Sequence, residues 1–189
     1  MKIIKSASII AKITTFVVLF DTVYTIIMKI FTQATAAKKP KTKESQKIAY
    51  MYAAILILFV LTQLFTFDKF LILLESFWIP GGKFVAYMLG SLLVISEVLA
   101  LPFLLGLKLS SLMRIICMGL GWFVSIVWLG LSLWLVLTVN AVSNIGFFGT
   151  IVNLVPGWWA VFISVALGLL AAWASWGLWP IANKKHHIK

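Results

Sequence analysis

Glu97 is the only formal charge between Phe84 and Leu107. Eleven residues separate it from Lys108. At about 1.5 Å per residue that places the acid roughly 16 Å along an apolar helix, near the middle of a hydrocarbon layer about 30 Å thick. An ionisable group at that depth is costly and turns toward a bundle interior or cavity, where it can hold or pass a proton. An isolated carboxylate there costs several kcal/mol, so the acid is expected in its neutral form. Ser125, eleven residues after Arg114, and Trp173, eleven before Lys184, fall at the same level and are the expected hydrogen-bond donors. Pro102, five residues beyond the acid, removes a backbone donor and frees the carbonyl of Val98, which predicts a kink. The competing reading is a protonated Glu97 that only ties two helices together.

Other chemistry-bearing residues are sparse. Asp68, Lys69 and Glu75 follow the first apolar run. Two helical turns separate the two acids, which allows a charged cluster at the outer mouth of a bundle. The alternative is a solvated turn that simply ends the helix. His186 and His187 sit in a basic tail, and no His-Cys-Asp grouping has metal-ligand spacing. There is no glycine-rich phosphate loop and no Ser-His-Asp set, so a soluble-type hydrolase or metalloenzyme site is not expected. Cys117 is the single cysteine and is read as packing, since thiol exchange within the chain needs a pair.

The elements that must position these residues follow from composition. The 189-residue chain is 62% hydrophobic and 11% charged, with a mean hydropathy of +1.08. That is far from the mixture of a soluble domain. Four apolar runs stand out: Ile48 to Phe67, Phe84 to Leu107, Ile115 to Val139 and Trp158 to Trp179. Each is long enough to cross a bilayer. Pro40, Pro80, Pro156 and Pro180 lie at their boundaries, where a missing backbone donor costs least. Glycines 119, 121 and 130, with Ser125, Ser132 and a tryptophan series at 122, 128 and 134, make the third run a close-packing helix. The fold class is all-α, an antiparallel four-helix transmembrane bundle over residues 48–180, preceded by a basic linker at 36–47 and followed by a basic tail at 181–189.

The net charge of +11 lies between the apolar runs rather than on one soluble face, so it reads as topology and no nucleic acid is expected. Lys38, Lys39, Lys41, Lys43 and Lys47 precede the first run. Lys108 and Arg114 separate the second from the third, and Lys184, Lys185 and Lys189 follow the fourth. By the positive-inside rule these regions are cytoplasmic, with both termini inside and the chain in an inner membrane. The same basic side can meet anionic lipid. Within residues 1–35, Ile9, Ile13, Phe16, Val17, Phe20, Tyr24, Ile27 and Phe31 share one helical face. Lys5, Ser8, Lys12, Thr15, Thr22 and Lys29 share the other, which predicts an amphipathic helix lying in the cytoplasmic interface. A fifth span would put Lys2 and Lys5 outside.

The order of features resembles a known group. A first run ending Gln63-Leu-Phe-Thr-Phe-Asp-Lys-Phe70, a proline in the next loop, Glu97 followed by Leu101-Pro-Phe-Leu-Leu-Gly-Leu107, and Met113-Arg114 opening the third run are similar to the DoxX/DoxD and MauE-like four-helix membrane proteins. The resemblance covers roughly Tyr50 to Trp179. It implies a role in quinone-linked oxidation or in disulfide handling, with a quinone as ligand and a membrane or periplasmic redox protein as partner. It also places Asp68, Lys69, Glu97 and Arg114 at the family's polar positions. One departure stands against it: where MauE-like proteins carry Cys-Gly-Cys-Phe-Gly, this chain reads Ile145-Gly-Phe-Phe-Gly149, so it has no thiol-disulfide chemistry of its own.

Three function classes are therefore expected: an accessory subunit of a quinone-linked redox system, a small proton-coupled transporter or channel using Glu97, and a non-catalytic assembly partner. The topology has a direct check. Cysteines placed at Ser76 and Ser143 should be labelled by an impermeant reagent from outside, and those at Ser45 and Lys185 only from inside. Labelling of Ser45 from outside would overturn the orientation.

Overall fold

The first helix begins at a capping box. Thr42 accepts the Ser45 N–H on its side-chain oxygen at 3.1 Å, and the Ser45 hydroxyl lies 3.4 Å from the Thr42 nitrogen in return. The computed structural model, which describes residues 40–138 and 142–179, therefore opens α1 at Lys43–Phe65, five residues ahead of the apolar run. The charged Lys43, Glu44 and Lys47 occupy its first turns. The amphipathic segment at 1–35, Lys38, Lys39 and the tail at 181–189 lie outside the described residues.

After Thr66 the chain does not pass into a solvated turn. It forms a short helix, α2, Phe67–Glu75, because Phe70 and Leu74, one turn apart, both find a buried surface while Asp68 and Lys69 stay exposed. A turn through Trp78 and Gly81, both with positive φ (53° and 101°), leads into α3, Gly82–Leu104. Pro102 falls in its last turn, and the carbonyl it leaves without a helical donor is that of Val98, next to Glu97. A six-residue link brings the chain back as α4, Ser111–Leu137, whose first turn is capped by Ser110 accepting from the Met113 N–H at 3.2 Å. A longer loop then leads to α5, Trp158–Leu178.

The described residues are all-α, with five helices, and four of these are long and apolar enough to cross a membrane. This is a multi-pass membrane protein. The spans form a closed ring: α3 packs on α4, α4 on α5, α5 on α1 and α1 on α3, with α2 lying along α3. Two ends follow. Lys41 N–H donates to the Gly177 carbonyl at 3.0 Å, which brings the start of α1 to the end of α5 at the basic end. At the loop end, the Trp134 indole N–H donates to the Phe77 carbonyl at 2.9 Å. Outward side chains such as Met88, Ile95, Ile126 and Phe162 are apolar and exposed, and in a bilayer they face lipid. Cys117 is buried in the apolar interior, as a packing residue should be.

Small residues set the closest approaches, as they do between membrane helices generally. A Cβ at Gly177 would collide with the Ser45 side chain, and one at Gly90 would come within 2.6 Å of Leu74 and 2.8 Å of Leu71. Gly121 also faces neighbours, Ala100 at 3.7 Å and Tyr52 at 3.8 Å, whereas Gly119 and Gly130 have open space beside them. Gly177→Ala and Gly90→Ala should each lower stability by about 1–3 kcal/mol through overpacking. Gly168→Ala, where a Cβ meets nothing within 4 Å, should not. Unfolding midpoints in mixed micelles will show the difference, and equal midpoints for all three would refute the close contacts.

Candidate functional site

Three helices and a loop converge on Glu97. The carboxyl is fully buried on α3. Its Oε1 accepts the Trp128 indole N–H from α4 at 3.1 Å and a Gln63 amide N–H from α1 at 3.4 Å. The same Gln63 nitrogen donates to the Phe147 carbonyl of the α4–α5 loop at 3.1 Å. Glu97 Oε2 and Gln63 Oε1 are buried without a hydrogen-bond partner among the described residues. One oxygen of the acid is thus held from two sides and the other is unengaged.

Aromatic rings close the site toward the loop end. Phe147 lies against Trp128 with centroids 4.6 Å apart and stacks on Phe59 at 5.5 Å, while Phe148 meets Phe59 edge-on at 5.3 Å. Asn144 holds the loop in this shape: its Oδ1 accepts from the Gly146 N–H at 2.9 Å, and its Nδ2 donates to the Gly149 carbonyl at 3.0 Å. Gly146 and Gly149 have φ of 89° and 57°, and a Cβ at Gly149 would strike the Thr66 hydroxyl and the Thr62 carbonyl. Glycine is required there both for the backbone conformation and for the close approach to α1. Ile145 and Phe147, at the positions where the resembled proteins carry cysteines, are buried.

The residues expected around the acid are distributed differently. Ser125 is buried but serves another pair: the Tyr52 and Ser125 hydroxyls are 2.9 Å apart, and the Tyr52 hydroxyl donates to the Gly121 carbonyl at 2.8 Å. Trp173 is 50% exposed on the outer face of α5 and lines a surface groove, so the indole that reaches Glu97 is Trp128. Asp68 and Lys69 are exposed in the first turn of α2 at the loop end. Glu75 faces Lys83, 3.7 Å away, instead of joining Asp68 in a cluster. Arg114 is half-buried near the start of α4, and its Nη2 is buried without a partner among the described residues. Of these four polar positions, Glu97 is the one hydrogen-bonded to Gln63 and Trp128.

Equal counting from the helix ends missed Gln63 and Trp128 because it tracks backbone depth only. Every Cα–Cβ bond leans toward its own helix N-terminus. α1 and α4 start at the basic end, so Gln63 and Trp128 lean toward that end, while Glu97 on the oppositely running α3 leans toward the loop end. Side chains from different depths therefore meet. A buried amide in an apolar run, Gln63, was the readable signal.

No grouping of three or more His, Cys, Asp or Glu among the described residues could hold a metal ion. Chemically the site offers hydrogen bonds and an ionisable carboxyl. Trp128→Phe keeps the ring packing against Phe59 and Phe147 but removes the N–H, and it should cost about 1–2 kcal/mol in unfolding measurements in micelles. Trp122→Phe, which removes an N–H bonded at 3.0 Å to Ser175 on an exposed face, should cost less. Equal losses would show that the Trp128–Glu97 bond has no special weight. No family model matches this chain, and no curated protein or solved structure matches it.

Proposed function

We propose that this chain is an accessory subunit of a quinone-linked membrane redox system, in which Glu97 acts as a neutral carboxyl that hydrogen-bonds a quinone carbonyl. The reading rests on one observation: Oε1 of Glu97 already accepts two N–H groups, while Oε2 has no partner among the described residues. A neutral acid in that arrangement carries its proton on Oε2, and an O–H in a low-dielectric interior is a strong donor for a carbonyl oxygen. The resemblance to DoxX- and MauE-like proteins supplies the ligand class.

Reducing a quinone takes two electrons and two protons. With a single buried cysteine, the chain brings no thiol pair to supply electrons, so the two electrons and the second proton come from a membrane or periplasmic partner, and Glu97 contributes positioning and one proton. In this reading the bundle runs up and down through an inner membrane. Its basic end and both termini face the cytoplasm, and the loop end, where residues 142–157 cover the acid, faces the partner.

A quinone analogue titrated into the protein in lipid nanodiscs should quench tryptophan fluorescence in a saturable way. Glu97→Leu should weaken binding roughly tenfold, the equivalent of about 1.4 kcal/mol, because a buried carbonyl then loses its donor. Glu97→Gln should retain binding through its amide N–H but fail in any turnover that needs proton release. Unchanged affinity in Glu97→Leu would refute the proposal. Glu97-dependent proton uptake into vesicles without quinone binding would move the assignment to a transporter, and a bound partner with neither would make the chain an assembly factor.

A further inference from the structure

A cleft of about 780 Å³ opens between α2 and the start of α3. Ile72, Trp78 and Ile79 form its apolar wall, and Glu75 and Lys83 are its charged lining. These two charges are not closed on each other. Their nearest atoms are 3.7 Å apart, beyond hydrogen-bond distance, and the lysine and glutamate side chains keep 64% and 39% of their surface open. From Lys83 to Leu104 is 21 residues of α3, about 31 Å as a helix, which is one hydrocarbon core. Lys83 therefore stands at the headgroup level, and the exposed, apolar Phe84 next to it begins the lipid-facing surface. Trp78, at 80% exposure, is held outward with φ of 53°, a conformation that bulky side chains rarely adopt. The Trp134 indole fixes that turn through its bond to the Phe77 carbonyl. An indole presented at this level suits the polar and apolar parts of a lipid together.

We propose that this cleft binds the headgroup of a zwitterionic phospholipid carrying a primary amine, with its ammonium on Glu75 and its phosphate on Lys83. Charge complementarity selects this occupant. An anionic lipid satisfies Lys83 but brings like charge against Glu75, whereas a headgroup bearing both signs satisfies the two residues at once. A primary ammonium also offers N–H donors to the carboxylate, which a quaternary ammonium lacks. Ser76, the remaining polar side chain of the lining, is already engaged, its hydroxyl donating to the Leu73 carbonyl at 2.6 Å. A Cβ at Gly82 meets nothing within 4 Å, so the approach to Lys83 is open. The glycerol and upper acyl chains rest on Ile72, Trp78 and Ile79 and leave past Phe84 into the leaflet. The lipid sits at the loop end of the bundle whichever leaflet that end meets, and its binding needs neither Glu97 nor a quinone.

Native mass spectrometry of the full chain, released from micelles holding equal amounts of phosphatidylethanolamine, phosphatidylcholine and phosphatidylglycerol, reads the preference. The ethanolamine lipid should be retained roughly fivefold over either of the others, the most that one partly exposed ion pair supplies. Glu75→Gln should bring it down to the level of the choline lipid, and Lys83→Gln should lower retention of all three. A photoreactive phosphatidylethanolamine in nanodiscs should attach to the peptide spanning residues 72–84 of the unaltered chain, which keeps the test independent of the substitutions. Equal retention of the three lipids, a preference that survives Glu75→Gln, or photo-attachment only to other helices would each overturn the proposal. A protein partner that shields Lys83 from acetylation in nanodiscs lacking the ethanolamine lipid would overturn it too, and would make the cleft a partner surface.

Discussion

A carboxyl group inside a bilayer is tolerated only when protein atoms replace the water it has lost, and the interior of this bundle is organised by that requirement. Satisfying Glu97 takes an indole from α4 and an amide from α1, so three of the four spans are bound to one oxygen atom. The amide in turn draws in the α4–α5 loop through the Phe147 carbonyl. Apolar packing alone leaves helices in a membrane with many near-equivalent arrangements, since lipid is as apolar as leucine. A buried polar group with few acceptable partners narrows that choice.

The same logic repeats at lower stakes along the bundle. Tyr52 and Ser125 join α1 to α4 nearer the basic end, and Ser132 and Ser164, with hydroxyls 3.0 Å apart, join α4 to α5. Each hydroxyl also lies within reach of the carbonyl four residues earlier in its own helix, Ser132 at 2.7 Å and Ser164 at 2.9 Å, and with one proton apiece one serine donates to its own carbonyl while the other donates across the helix pair. Local carbonyls and the neighbouring helix thus share the same few hydroxyl protons. Glu97 is different, because its helix offers it nothing and its partners are all foreign.

Much of the architecture was legible. Runs of about 20 apolar residues have only one stable form in a membrane, so the four spans and the buried acid could be read directly from residue types. What escaped reading depended on tertiary choices. The helix at Phe67–Glu75 exists because Phe70 and Leu74 find α3 and its Gly90, a surface the local sequence does not announce. Backbone depth points to Ser125 and Trp173 as donors to Glu97, whereas the indole that reaches it is Trp128, because side chains on oppositely running helices lean in opposite directions. The loop over the site was read only as a place where cysteines are missing. Its fold depends on Asn144 and two left-handed glycines, whose pairing cannot be inferred from spacing.

The tryptophans of α4 carry a consequence for how the bundle assembles. Trp122, Trp128 and Trp134 donate to three different elements: Ser175 of α5, Glu97 of α3 and the turn after α2. Residues six apart on a helix of 3.6 per turn differ by about 240° in azimuth, so the three indoles aim in three directions, like the bits of a key. Sliding α4 by one residue turns every one of them by about 100° and lifts it by about 1.5 Å. No slipped register retains one bond while losing another. Rotation and depth of this helix are therefore fixed together by the three bonds.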